Sequence, residues 1–246
     1  MLPKIDVPVY EVTLPSNKKK VKYRPFTVKE EKLFLMTNES EDIDNTVETI
    51  KQVLNNCVLN PDFKVDELPL FDIEYLFLRL RAVSVNELVN LNYRCNNILP
   101  PLEGEEEGKK CNQIVEMEIN LTEIEPEYTE NHTNKIEITD KMGIVMKYPN
   151  FSVLKKLAGS SSVESIIEMT MECIDYIYDA DNIYYSKDYQ PEELMEFLNS
   201  MQAKDLEKIK TFFDTMPKLK KVADFKCTKC GYEEKIEIEG IQNFFE

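Results

Sequence analysis

Phe225-Lys226-Cys227-Thr228-Lys229-Cys230-Gly231-Tyr232 is the stretch on which the fold turns. Two cysteines separated by two residues and followed by glycine make a knuckle. Both sulfurs can point at one metal ion, and the glycine lets the chain turn back after the second cysteine. One knuckle is half of a tetrahedral site, and the other half is sought at Cys95 and Cys111, more than a hundred residues upstream. Both pairs are flanked by alternating apolar residues, the pattern of strands entering and leaving a turn. Val89, Leu91 and Tyr93 lead to Cys95, and Val115, Met117, Ile119 and Leu121 follow Cys111. Val222 precedes Cys227, and Ile236 and Ile238 follow Cys230. The expectation is a structural zinc held by Cys95, Cys111, Cys227 and Cys230.

The upstream half-site is irregular. Fifteen residues, NNILPPLEGEEEGKK, separate Cys95 from Cys111, and Pro100, Pro101, Gly104 and Gly108 forbid a regular element there. It reads as a knuckle carrying a surface insertion, whose closure entropy grows only slowly with length. Two rivals stand beside zinc: unrelated buried thiols, and a redox C-x-x-C. Redox chemistry is disfavoured because the motif is not at a strand-to-helix turn, where a helix N-terminus would lower a thiol pKa. A closed set of four thiolates leaves no coordination position for a substrate, so the metal would hold the fold and take no part in catalysis. Cys57 and Cys173 fall in apolar stripes at helical spacing and read as small core residues.

At 246 residues the chain can bury a full core, and no apolar run approaches the roughly 20 residues that span a bilayer. With no signal peptide and with thiols spaced for metal, it reads as intracellular. Its 46 acidic and 30 basic residues leave a formal charge of −16. Such a surface repels phosphate backbones and anionic lipid, so nucleic acid and membranes are not expected partners. Even at the knuckle, Lys226, Lys229 and Lys235 are answered by Glu233, Glu234, Glu237 and Glu239.

Along the chain, Val7, Val9, Val12 and Leu14 alternate before Pro15-Ser16-Asn17, predicting a hairpin with Lys18 to Tyr23. Thr27 and Glu30 form a capping box that opens a helix to about Asn38. Ile43 to Val58 carries a second helix, and Leu70 to Leu80 a third that is apolar nearly all round and therefore buried or in an interface. Thr122 to Asn134 reads as a polar linker. Ile136, Ile138 and Ile144 to Tyr148 read as strands, and Phe151 to Leu157 as a short helix. A capping box at Ser161 and Glu164 opens an amphipathic helix through Cys173, Ile174 and Ile177. Pro191 starts a helix, and Leu206 to Thr215 carries another that ends at Met216-Pro217. The fold class is α+β. Residues 1–86 form an N-terminal hairpin plus helices, and 87–121 with 218–240 a discontinuous zinc-ribbon-like unit. Residues 135–217 form a mainly helical insertion, and 241–246 an apolar C-terminal tail.

No enzyme signature emerges. The single histidine, His132, falls in the polar linker and reads as solvated; no G-x-S-x-G, phosphate-binding glycine loop or H-E-x-x-H occurs. Glu103 to Glu107, Glu192/Glu193 and Asp179/Asp181 read as solvated charge at a loop, a helix first turn and a helix end. No small-molecule substrate is expected. Ile241, Phe244 and Phe245 are costly to expose at a charged chain end, and are expected either to meet a partner protein or to dock on the chain's own helices.

Lys22-Tyr-Arg-Pro-Phe-Thr-Val-Lys-Glu-Glu-Lys32, Leu68-Pro-Leu-Phe-Asp-Ile-Glu-Tyr-Leu-Phe77, Phe212-Phe-Asp-Thr-Met-Pro217 and the terminal Cys-Thr-Lys-Cys-Gly-Tyr segment together resemble the baseplate hub subunit of T4-like tailed bacteriophages. The similarity runs over nearly the whole chain and rests on the collection, since no piece is a catalytic motif. It implies a structural or hub-assembly role, made in the host cytoplasm and exercised through contacts with other tail or baseplate hub proteins. Members of this family also resemble hub-assembly factors, so a place in the finished virion tail baseplate does not follow from it. The alternative is a zinc-ribbon regulatory adaptor of nucleic-acid machinery.

Overall fold

The N-terminal hairpin forms where the alternation predicts it. β1 (Tyr10–Thr13) pairs antiparallel with β2 (Lys20–Tyr23) and sets Val12 opposite Val21, both facing inward. In this computed structural model, which describes residues 5–38, 43–101, 108–153 and 163–240, the hairpin is tied down through its turn. The amide and hydroxyl of Ser16 both donate to Asp72, which is fully buried in the first turn of α3 (Leu70–Ser84). Burial pushes the Asp72 carboxyl up, against the pull of those two hydrogen bonds.

α1 (Val28–Asn38) starts at the expected capping box in modified form. Glu30 bonds back to the Thr27 amide at 2.8 Å, and the Thr27 hydroxyl also donates to Glu30 at 2.7 Å. α2 (Ile43–Cys57) and α3 follow, and α3 is buried on almost every side, as a helix without a polar face must be. Its Arg79 reaches across to the carbonyls of Leu121 and Ile124 and to the Glu125 carboxylate. That anchor corrects the reading of residues 122–134 as a linker. Leu121 and Ile124 are fully buried, and Pro126–Glu127 (β5) pairs with β10 (Lys218–Lys226). The stretch is polar by composition, but the Ile124 carbonyl and the Glu125 carboxylate within it, and the Leu121 carbonyl just before it, all accept from one arginine of another element.

β3 (Leu88–Arg94) pairs with β4 (Ile114–Asn120), and β10 pairs with β11 (Glu233–Glu239). Between these hairpins in sequence lies a four-stranded antiparallel sheet in the order β6 (Lys135–Thr139), β7 (Met142–Met146), β8 (Ile174–Tyr178), β9 (Ile183–Tyr185). α4 (Val163–Cys173), α5 (Pro191–Asn199) and α6 (Ala203–Thr215) accompany this sheet, and their apolar faces share its core. The helix expected to run through Ile177 ends at Cys173, where the chain passes directly into β8. Ile174, Tyr176, Ile177 and Tyr178 are β-branched or aromatic, and pairing with β7 wins over a continued helical stripe. Ile174 and Ile177 are buried in either conformation, so the spacing of apolar residues could not separate the two. The Ser161/Glu164 cap and most of the Phe151–Leu157 helix lie outside the described residues.

The first core gathers β1, β2, the three N-terminal helices and the near ends of β3 and β4; the second lies between the four-stranded sheet and its helices. Cys57 is fully buried in the first and Cys173 in the second, as their sequence positions suggest, and burial pushes their thiols up to about 11 and about 12. Tyr148 packs against both cores, edge-on to Phe71 and stacked on Phe212.

Candidate metal centre

The two hairpins meet at their tips. Cys95 follows β3, Cys111 precedes β4, Cys227 follows β10 and Cys230 precedes β11, so each knuckle closes one hairpin. The tips are built alike despite their different lengths. The Cys227 amide donates to Tyr232 and the Gly231 amide to Cys227; the Cys95 amide donates to Gln113 and the Asn112 amide to Cys95. Gly231 has φ 74° and Asn112 has φ 53°. Asn112 therefore occupies the left-handed position that glycine takes in the other knuckle, and asparagine is among the few side chains that tolerate it. The insertion leaves this geometry intact because its stem is laddered, with Leu99 donating to Lys109 and Cys111 to Asn97.

The four sulfurs all lie within 4.8 Å of one another. Cys95 is 3.7 Å from Cys230, and Cys111 is 3.7 Å from Cys227. These distances exceed the 2.05 Å or so of a disulfide. They match the roughly 3.8 Å edge of a tetrahedron of sulfurs each about 2.3 Å from one zinc ion. The closest pairs run between hairpins, so an ion at the centre would join β3–β4 to β10–β11. Cys95, Cys111 and Cys227 are buried and Cys230 is partly exposed, in a shell that includes Phe225, Tyr93, Val115 and Met117, with Tyr93 edge-on to Phe225 at 4.9 Å. Asn97 donates to the Cys230 sulfur at 3.5 Å.

Four thiols in one small apolar space cannot share negative charge equally. Burial pushes Cys95 up to about 12, whereas the Tyr232 amide, helped by Asn97, draws Cys230 down to about 6. A divalent cation at the centre would stabilise all four thiolates together. The donor set fits zinc: soft sulfur ligands, tetrahedral spacing and, among the described residues, no fifth histidine, cysteine or carboxylate in the cluster.

His132 is not solvated, which corrects its reading from sequence. Its ring packs against both Tyr148 and Phe212, which also stack on each other, with Nδ1 2.9 Å from the Thr215 hydroxyl and Nε2 3.0 Å from the Tyr148 hydroxyl. The Thr215 hydroxyl already donates to the Thr211 carbonyl, so Nδ1 carries the proton and Nε2 accepts from Tyr148. This is a structural pairing at the joint between the two cores, and its signal is tertiary. Burial holds the His132 pKa below its usual 6.5. The stability contributed by the neutral ring is therefore fully present above pH 6.5 and is lost as the pH falls through the lowered value. Denaturant titrations are expected to show a fall in stability on acidification below pH 6.5 that is absent in His132→Asn. His132→Ala should cost about 1–3 kcal/mol at neutral pH by leaving the Tyr148 hydroxyl without its acceptor and opening a gap beside Phe212. Equal pH slopes for the wild type and the asparagine variant would contradict this.

Two of the three acidic clusters are described. Glu192 and Glu193 lie in the first turn of α5, and Asp179 follows a strand instead of a helix, capping the β8–β9 turn through the amides of Asp181 and Asn182. Glu103 to Glu107, like Ile241, Phe244 and Phe245, lie outside the described residues. The lysines of β10 meet carboxylates: Lys218 with Glu239, Lys220 with Glu127, Lys221 with Glu123 and Lys226 with Glu233. No helix among the described residues is long and apolar enough to cross a membrane.

Residues 7–246 match the family model described as T4 bacteriophage base plate protein, and the chain belongs to that family. Its role is that of a structural protein of the phage baseplate, in contact with other baseplate proteins. No curated protein and no solved structure matches it.

Proposed function

We propose that this base plate protein is a component of the tail hub or a factor that assembles it, acting through protein contacts and without catalysis. The family match over nearly the whole chain carries the reading. The acidic surface supports it, because a chain of net charge −16 whose β10 lysines are paired with carboxylates offers little to a nucleic-acid backbone. One structural zinc ion, held by Cys95, Cys111, Cys227 and Cys230, joins the two knuckles. Synthesis in the host cytoplasm precedes incorporation into, or release from, the growing baseplate. Affinity capture of the tagged chain from infected cells, compared with purified virions, tests the assignment. Recovery of hub proteins is expected. Recovery of polymerase subunits, together with a salt-dependent shift of DNA or RNA by the purified chain, would replace the hub reading with that of a nucleic-acid adaptor.

A further inference from the structure

The four sulfurs of the cysteine centre differ in access. Cys95, Cys111 and Cys227 are 0%, 4% and 1% exposed, whereas Cys230 is partly open to solvent. The sulfur of Cys230 lies 3.7 Å from that of Cys95, and the buried sulfurs of Cys111 and Cys227 form a second pair at the same distance. Neither pair lies within one knuckle. Closing 3.7 Å to the 2.05 Å or so of a disulfide moves each sulfur by about 0.8 Å, a matter of small side-chain rotations. An accessible thiol beside a second thiol that can resolve it is the arrangement of a reversibly oxidised cysteine.

We propose that the centre has a second closed state, metal-free and oxidised, in which disulfides Cys95–Cys230 and Cys111–Cys227 join the two hairpins that zinc joins in the reduced state. What occupies the reduced centre rests on the zinc reading; which disulfides form rests on the sulfur positions alone. The oxidant is a small-molecule disulfide, here glutathione disulfide. The Cys230 thiolate attacks one of its sulfurs and expels a glutathione thiolate, and the Cys95 thiolate then attacks the Cys230 sulfur and expels the second. Two cysteine sulfurs are oxidised and one glutathione disulfide is reduced. Half of the ligand set is then lost, the divalent cation leaves, and a second equivalent of oxidant closes Cys111 onto Cys227 by the same two exchanges. The bonds span 135 and 116 residues of sequence, and a cross-link over so long a loop is the kind that restricts the unfolded chain most. A redox C-x-x-C differs in kind, because a bond between Cys227 and Cys230 stays within one knuckle and joins nothing. A reducing cytoplasm favours the zinc state and an oxidising exterior the disulfide state.

The full-length protein as isolated is oxidised with glutathione disulfide, digested without reduction and mapped by mass spectrometry. Cross-links Cys95–Cys230 and Cys111–Cys227 are expected, with Cys57 and Cys173 still reduced. A chromogenic indicator should register one zinc ion released per chain. In a second sample, stripped of metal by chelation and then oxidised, the melting temperature should regain at least half of what chelation removed. Any other pairing among the four cysteines would overturn the proposal, as would persistently free thiols, a glutathione adduct left on Cys230, or an oxidised chain that melts no higher than the chelated one. Protein isolated without metal would count against the zinc reading instead, and the cross-link map of that same sample would still decide the pairing.

Discussion

Removal of zinc by chelation, or the paired substitution Cys111→Ser with Cys227→Ser, is expected to lower the melting temperature by roughly 10–20 °C and to loosen two hairpins at once. The reason is the arrangement of the sulfurs. Their closest approaches, Cys95 to Cys230 and Cys111 to Cys227, are between hairpins, so nothing short of both knuckles makes the site. Metal binding energy in such a site is folding energy, and a loss of about 5 kcal/mol in a chain of this size corresponds to a shift of that order. Hydrogen exchange should rise in β3, β4, β10 and β11 while β6 to β8 keep their protection, because the second core shares no residue with the cysteine shell. Elemental analysis should give one zinc per chain in the wild type, and the same in Cys57→Ser and Cys173→Ser. Stoichiometric zinc surviving the double substitution would sink the assignment. Zinc affinity should also fall with pH, since every ligand must be a thiolate.

The second large effect lies at the start of α1. Glu30 is almost wholly buried and accepts from Arg24 at 3.0 Å as well as from Thr27. Burial alone would raise this carboxyl, but the hydrogen bonds from Arg24 and Thr27 outweigh it and hold the pKa at about 2, against 4.5 for an ordinary glutamate. A carboxylate with a depressed folded pKa contributes stability that is present above pH 4.5 and lost as the pH falls toward 2. The interval corresponds to about 3 kcal/mol. Arg24 is committed in turn to the carbonyls of Pro25 and Asn56, so losing its partner strands a half-buried cation between α1 and α2. Glu30→Gln is expected to cost about 3 kcal/mol at neutral pH, with the wild type and variant converging as the solution is acidified. Denaturant midpoints measured from pH 7 to pH 3 check this. Parallel curves would show that the pair carries no net stability.

Much of the architecture is local in origin and was legible before any coordinates. Helices α1, α2, α3, α5 and α6 announce themselves through apolar spacing, the Thr27/Glu30 pair and Pro191, all signals contained within a few turns of chain. The Cys227 knuckle is equally local, because two residues and a glycine define its turn. Asn112 carries a signal of the same local kind, since an asparagine directly after Cys111 repeats what Gly231 does after Cys230.

What the sequence could not decide is everything that depends on a distant partner. Ile174 and Ile177 bury in a helix or in a strand, and only the presence of β7 alongside selects the strand. Residues 122 to 134 are polar, yet Arg79 of α3 donates to the carbonyl of the buried Ile124, and His132 packs against the rings of Tyr148 and Phe212. By itself the sequence determined the α+β class, the helices and the knuckle turn, because dihedral preference, capping and side-chain periodicity act over a few residues. The tertiary structure supplied the geometry by which the sulfurs of Cys95 and Cys111, expected from the sequence to join those of Cys227 and Cys230, meet them, and it alone decided that the lone histidine is half-buried and hydrogen-bonded on both ring nitrogens, because burial and hydrogen bonding are set by segments that find each other only when the chain has folded.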